Sequence, residues 1–152
     1  MVVTIDNREP DPHPWGRFLP DGWTFERGTL ETGDLVLAAL PDGAVVERKT
    51  ASDLVSCIGS GHERFERELK RGRYCGRMIV VVEGSLADVV AAGRGLHHNA
   101  ITGTLASWTL RYCPFVFAGS GRIAADFAFR LLAAQIRDIE RKAKALNAAG
   151  CS

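Results

Sequence analysis

The stretch "AVVERKTASDL" (residues 44–54) passes from apolar to charged without a break. Its valines read as a strand entering the core, because β-branched side chains suit a pleated, buried surface. Glu47, Arg48 and Lys49 then end that strand, and Asp53 follows four residues after Lys49. Strand side chains alternate, so Glu47 and Lys49 share one face and Arg48 takes the other. A carboxylate and an ammonium side by side, facing an acid from a neighbouring strand, suit a divalent-metal hydrolase. Hard oxygen ligands hold Mg²⁺ through one or two carboxylates plus substrate phosphate.

The acid on the neighbouring strand is Asp34, which opens "DLVLAAL". With "PDG" (residues 41–43) between "DLVLAAL" and "AVVE", the two runs read as a β-hairpin. A hairpin symmetric about Asp42 puts Glu47 opposite Leu37, roughly 10 Å along the strand from Asp34. Bringing the two acids together therefore requires a bulge or sharp bend between them. Upstream, "VVTI" (residues 2–5) is a short buried strand, and "DNREPDPHPWG" forces the chain out of regular structure with three prolines. Residues 23–30 read as an edge strand.

Downstream, Ser52 is expected to cap a short helix over 53–58, which "GSG" (59–61) ends. Residues 62–71 read as a helix, with Glu63/Arg67 and Glu66/Lys70 spaced for intrahelical pairs. "RMIVVVEG" (77–84) is apolar without alternation, as a central strand is. A helix over 100–112, a strand over 115–118 and a long helix over 122–146 complete the chain. In that last helix Ile123, Phe127, Leu131, Leu132, Ile136 and Ile139 form an apolar stripe, read as core or as a dimer face. Intermixed strands and helices argue for a mixed central sheet covered on both faces.

Composition narrows the class. At 152 residues, 46% hydrophobic and 24% charged, the chain has the make-up of one soluble globular domain over 1–149. No apolar run is long enough to span a bilayer and the start lacks a signal-peptide pattern, so we expect an intracellular, cytoplasmic protein with no membrane partner. Cys57, Cys75, Cys113 and Cys151 show no metal-binding spacing and read as incidental thiols. His97 and His98 lack a spaced partner. Net charge is only +1, so nucleic-acid binding must rest on local charge. Arg64, Arg67, Lys70, Arg71, Arg73 and Arg77 offer such a ridge, strongest at its unpaired end from residue 70 to 77, against a salt-bridged solvated face as the plain alternative.

"GD", twelve residues, then "ERKTASD" resembles the GD…ERKxxxD signature of the XPF-type structure-specific DNA endonucleases, within the PD-(D/E)xK group. "TIDNRE" resembles that family's opening motif, and "RFERELKR" and "MIVVVEG" its following helix and core strand. The resemblance implies a restriction-endonuclease-like α/β/α fold and Mg²⁺-dependent cleavage of branched or junction DNA, with Mn²⁺ as a substitute. It assigns Asp34 and Glu47 to the metal, Lys49 to catalysis, and Asp6, Arg8 and Glu9 to the same site, one of the two acids reaching the ion. Arg48 is expected to brace the site by pairing with a carboxylate such as Asp53, whose place a helix cap explains equally well. The resemblance also implies a homodimer. Because the helix-hairpin-helix modules common in the family are not in this sequence, a partner protein would supply DNA targeting. A non-catalytic, pseudo-nuclease DNA-binding module is the alternative, and an RNA or nucleotide hydrolase of the same fold a third.

Overall fold

The computed structural model describes residues 1–74 and 77–149. Six strands form one mixed sheet in the order β2-β1-β3-β4-β5-β6: β1 (Val2–Asp6), β2 (Thr24–Gly28), β3 (Leu35–Leu37), β4 (Val45–Thr50), β5 (Met78–Glu83) and β6 (Phe115–Phe117). Five helices accompany them among the described residues: α1 (Ala51–Ile58), α2 (His62–Tyr74), α3 (Leu86–Ala92), α4 (His98–Arg111) and α5 (Gly121–Ala149).

β4, β5 and β6 run parallel, as do β1 and β2, while β3 is antiparallel to both of its neighbours. The C-terminal ends of β1, β4 and β5 therefore lie along one edge of the sheet. The reversed β3 brings its beginning to the same edge, and with it Asp34. Open α/β sheets bind ligands at such carboxyl ends.

Two cores flank the sheet. On one face Leu54, Phe65, Leu69, Val80, Val82, Val89, Ile101, Leu105 and Trp108 join α1 through α4 to the strands. On the other, Val3, Trp15, Leu35, Val46 and Val81 meet Ala124, Ala125, Ala128, Phe129 and Leu132 of α5. Three layers result, as expected. The seam of α5 differs from the expected stripe: Ile123 and Ile139 are 54% and 45% exposed, and the buried line runs instead through three alanines. Small side chains let the helix lie close to the sheet, so reading the stripe by side-chain size mis-centred it. Helix α3 and the 3-10 turn at Gly16–Phe18 have no counterpart in the sequence reading. Of the four thiols, Cys57 and Cys113 are buried and free, while Cys75 and Cys151 lie outside the described residues.

The β3–β4 connection departs from a turn symmetric about Asp42, which would set Leu37 against Glu47. Leu35 instead faces Val46 and fixes the register. The Asp34 N–H also bonds the Val46 carbonyl, at 2.8 Å. Two residues of one strand thus answer one residue of the other, the count of a bulge. Gly33 makes this possible with φ +73. A Cβ at Gly33 would collide with the Val45 side chain, whereas Gly22 (φ +74) has open space around it. Gly33→Ala should therefore cost about 1–3 kcal/mol more than Gly22→Ala in urea unfolding, since both incur the left-handed backbone term but only one adds a clash. Equal losses would remove the bulge from this account.

Candidate active site

Glu47 lies on β4, buried at 1% exposure, with one carboxylate oxygen on the ammonium of Lys49. Its other oxygen, Oε2, is buried with no hydrogen-bond partner. Lys49 also lies 5.1 Å over the Phe65 ring of α2, so both side chains point to the α1–α2 face. Arg48 points to the opposite face, as strand parity requires. Asp34 reaches the pair from the start of β3: its Oδ2 accepts the Arg48 N–H at 2.7 Å. The bulge thus stitches the "GD" segment directly onto the "ERK" strand.

The electrostatics follow from burial. Desolvation, then the nearby Glu9 charge, raises Asp34 to about 7. Desolvation, then Asp34, raises Glu47 to about 8. Burial alone would lower Lys49, but the Glu47 carboxylate and the Asp34 charge outweigh it and its pKa rises. Lys49 is accordingly an ammonium throughout the neutral range, a donor and a fixed charge rather than a base.

The opening motif divides its labour. Asp6 is buried and fully engaged: Oδ1 accepts from the Arg8 N–H (2.8 Å) and Arg8 Nε (2.5 Å), and Oδ2 from the Leu30 N–H (2.8 Å). Burial raises its pKa, but these hydrogen bonds prevail and hold it below the usual carboxylate range. Asp6 and Arg8 thus tie the loop after β1 to the β2–β3 connection, and the Asp6 N–H bonds the Asp34 carbonyl at 2.9 Å. Glu9 instead faces the site. Its Oε2 is 3.8 Å from Arg48 Nη1 and 3.3 Å from His13 Nε2, without a well-aligned hydrogen bond. The His13 imidazole, against the opposing effect of burial, lowers its pKa.

Two further expectations change. Arg48 pairs with Glu83 at the end of β5 (Nε–Oε1, 2.7 Å) and with Glu9, not with Asp53. Asp53 belongs to the start of α1, where Thr50 rather than Ser52 is the N-cap. Thr50 Oγ1 accepts the Asp53 N–H at 3.1 Å and donates to Asp53 Oδ2 at 2.7 Å. Asp53 still borders a cleft of about 440 Å³ at the strand ends, shared with Glu9, Arg48, Lys49, Ser56, Ser60, Gly61 and Arg64.

The basic ridge splits in two. Arg64 lines that cleft, while Arg67 pairs with Glu63 and Lys70 with Glu66, as a solvated helix face would. Arg71 is exposed. Arg73 and Arg77 border a separate depression of about 360 Å³ with Met78, Tyr112 and Cys113, at the opposite edge where β5 begins. The unpaired end of the ridge is therefore not beside the site, because α2 runs away from it. His97 caps α4 through its Nδ1.

Sequence reasoning missed several groups. Arg27 holds the Glu9 loop by donating to the carbonyls of Asp6, Glu9 and Pro10 (3.3, 2.9 and 2.8 Å). Glu68, on a helix face spaced for intrahelical pairs, contributes negative charge at Asp34 and Glu47. Glu83 reads in the sequence only as the end of a core strand, although an acid closing an apolar parallel strand is itself a signal.

The comparisons with known proteins agree. The sequence profile described as the ERCC4 domain matches residues 5–131. A Methanocaldococcus jannaschii protein named as an ATP-dependent RNA helicase, MJ1505, is 31% identical over 132 residues, which are 86% of this chain and 15% of that protein. Among solved structures, XPF from Aeropyrum pernix superposes with a TM-score of 0.72 at 24% identity, covering 87% of this chain and 60% of that one. The same protein in a complex with DNA gives 0.69 at 22% identity, covering 90% and 66%. The chain thus spans a small part of the helicase and about three fifths of the first XPF chain, and the latter likeness establishes a restriction-endonuclease-like fold. By its profile match over most of its length, this chain belongs to the ERCC4 domain family.

Proposed function

We propose that the domain is a divalent-metal-dependent DNA endonuclease, hydrolysing a phosphodiester bond near a branch or a single-strand/duplex junction. The observation that carries this reading is the cluster of half-buried Asp34 and Lys49 around buried Glu47 at one strand end, with Glu47 Oε2 left without a partner. Two carboxyls held out of water beside one ammonium are short of positive charge. That shortage, and the oxygen-only donor set, fit Mg²⁺ or Mn²⁺. Asp34 and Glu47 would hold the ion, with Glu9 nearest to completing the set. Among the described residues no three His, Cys, Asp or Glu side chains form a ready-made cage. Water and substrate phosphate would complete the shell, as is usual for Mg²⁺.

When bound, the ion supplies charge stabilisation at the phosphoryl oxygens and a more acidic water. The chain's own groups do the rest. Lys49, fixed as an ammonium, steadies the charge that develops on the phosphate. Glu47 keeps its unpartnered Oε2 for the ion, and the proton of the attacking water passes to solvent at the open cleft. Water oxygen bonds to phosphorus, the bridging P–O bond breaks, and the leaving oxygen takes a proton from solvent. Arg64 at the cleft wall would contact a flanking phosphate. The DNA in the Aeropyrum pernix complex supports a nucleic-acid substrate, and the exposed Ile139 and Leu146 on α5 support a homodimer.

Cleavage of labelled flap, fork and duplex DNA with Mg²⁺, beside matched RNA substrates, tests this directly. Glu47→Gln and Lys49→Ala should each lower the single-turnover rate at least about 100-fold while leaving DNA affinity in chelator unchanged. Parent and Glu47→Gln behaving alike on every substrate would instead favour the non-catalytic DNA-binding module.

Arg64→Glu should weaken DNA binding and flatten its salt dependence by about one phosphate contact. The paired reversal of Arg73 and Arg77 should leave the cleavage rate at saturating DNA intact, as measured by the same single-turnover assay.

The carboxyl pair also sets a pH dependence. Both folded values are raised, so the folded chain holds protons that the unfolded chain has released. Without divalent metal, this pair's contribution to stability is greatest below about pH 4, where Asp34 and Glu47 are protonated in both states, and it is lost as pH rises to about 8. Thermal unfolding in chelator from about pH 5 to about pH 9 should show this fall, Glu47→Gln should make it shallower, and Mn²⁺ should reverse it. A profile unchanged by Glu47→Gln would contradict the assignment.

A further inference from the structure

On the opposite face of the sheet from Glu47 and Lys49, five side chains form a closed circuit. The Trp15 backbone N–H donates to His13 Nδ1 at 3.2 Å. Accepting there, the neutral imidazole carries its proton on Nε2, the atom 3.3 Å from Glu9 Oε2. Glu9 Oε2 lies 3.8 Å from Arg48 Nη1, and Arg48 Nε donates to Glu83 Oε1 at 2.7 Å. The same Glu83 oxygen accepts the Trp15 indole N–H at 2.5 Å, which closes the ring where it began.

The strengths of these links differ in a telling way. Trp15 and His13 are buried, and Trp15 packs edge-on against Phe129 of α5. The Glu83 carboxylate is further confined by the first turn of α5, where a Cβ on Gly121 would come within 3.3 Å of it. The loose joints are both at Glu9 Oε2, which is buried yet has no aligned partner. The aligned hydrogen bonds hold the rest of the ring, and both loose joints meet at Glu9, which borders the cleft beside Arg48.

We propose that this ring, anchored on Trp15, presents Glu9 and Arg48 to the catalytic edge, so that His13, Trp15 and Glu83 are positioning residues for the metal-assisted hydrolysis. The inference rests on the nuclease reading above but is separable from it. Groups that orient a ligand from one shell out typically change metal affinity or activity about 10–100-fold. The ring also gives a purpose to "DPHPWG": a proline-braced loop sets one tryptophan so that both its N–H groups point into the same circuit.

The test uses the whole chain and the variants Glu9→Gln, His13→Gln, Glu83→Gln, Trp15→Phe and the double variant Trp15→Phe/Glu83→Gln. Trp15→Phe keeps an aromatic ring in the core, Glu83→Gln keeps its shape, and circular dichroism checks that each variant is folded. Mn²⁺ affinity is measured by calorimetry without DNA, and single-turnover cleavage of forked DNA at saturating metal. Trp15→Phe, His13→Gln and Glu83→Gln should each reduce Mn²⁺ affinity or the cleavage rate about 10-fold or more, with DNA affinity in chelator within about twofold of the parent. Because Trp15 and Arg48 share one Glu83 oxygen, the double variant should be no worse than Glu83→Gln alone. The proposal falls if Glu9→Gln impairs the enzyme while the three ring variants match the parent, if Glu9→Gln has no effect, or if the two single effects multiply in the double variant. Should the parent bind Mn²⁺ without cutting DNA, the nuclease reading fails, and the same affinities still decide the ring. A parent that binds no Mn²⁺ overturns both.

Discussion

Everything at this strand edge depends on one unequal pairing, in which two carboxyls, Glu47 by hydrogen bond and Asp34 by charge, act on the single half-buried ammonium of Lys49. Taking charges out of water is costly, and a buried ion pair rarely repays that cost in stability. Here even the pairing is incomplete, since the carboxyls outnumber the ammonium and both are pushed toward neutrality. A fold held together only for stability would gain by replacing such a group with apolar residues. Its presence at the carboxyl edge of a parallel strand set is best understood as chemistry that the rest of the domain supports.

The supporting structure works from both faces. On the α1–α2 side, Phe65 flanks Lys49, and Thr50 turns the chain straight from strand into helix. On the α5 side, Arg48 spans from Glu83 toward Glu9. Alternation along β4 therefore sends consecutive residues to different faces, with Glu47 and Lys49 turned to the α1–α2 side and Arg48 to Glu83 and the α5 side. The loop after β1 makes the same division, because Asp6 closes on its own loop and leaves Glu9 to face the site.

The reversal of β3 is the topological half of the design. If β3 ran parallel to its neighbours, Asp34 would begin at the far edge, about a strand length from Glu47. Antiparallel to both β1 and β4, β3 starts where they end, and the bulge at Asp34–Leu35 sets the Asp34 carboxylate on the Arg48 N–H. The glycine of the "GD" motif thus serves the turn, and the aspartate ties that turn to the "ERK" strand.

By itself the sequence determined the three-layer architecture, the faces of Glu47, Lys49 and Arg48, and the need for a bulge or bend somewhere between Asp34 and Glu47. These follow from alternation, apolar runs and turn residues, which act locally and leave periodic marks. Only the tertiary structure decided that Arg48 pairs with Glu83, that Glu9 rather than Asp6 faces the site, and that α2 carries Arg73 and Arg77 away from it. Those outcomes depend on which strand ends become neighbours, on the direction a helix takes across the sheet, and on hydrogen bonds between residues as distant as Trp15 and Glu83. Contacts of that range leave no period in the chain, so they emerge only when the layers close.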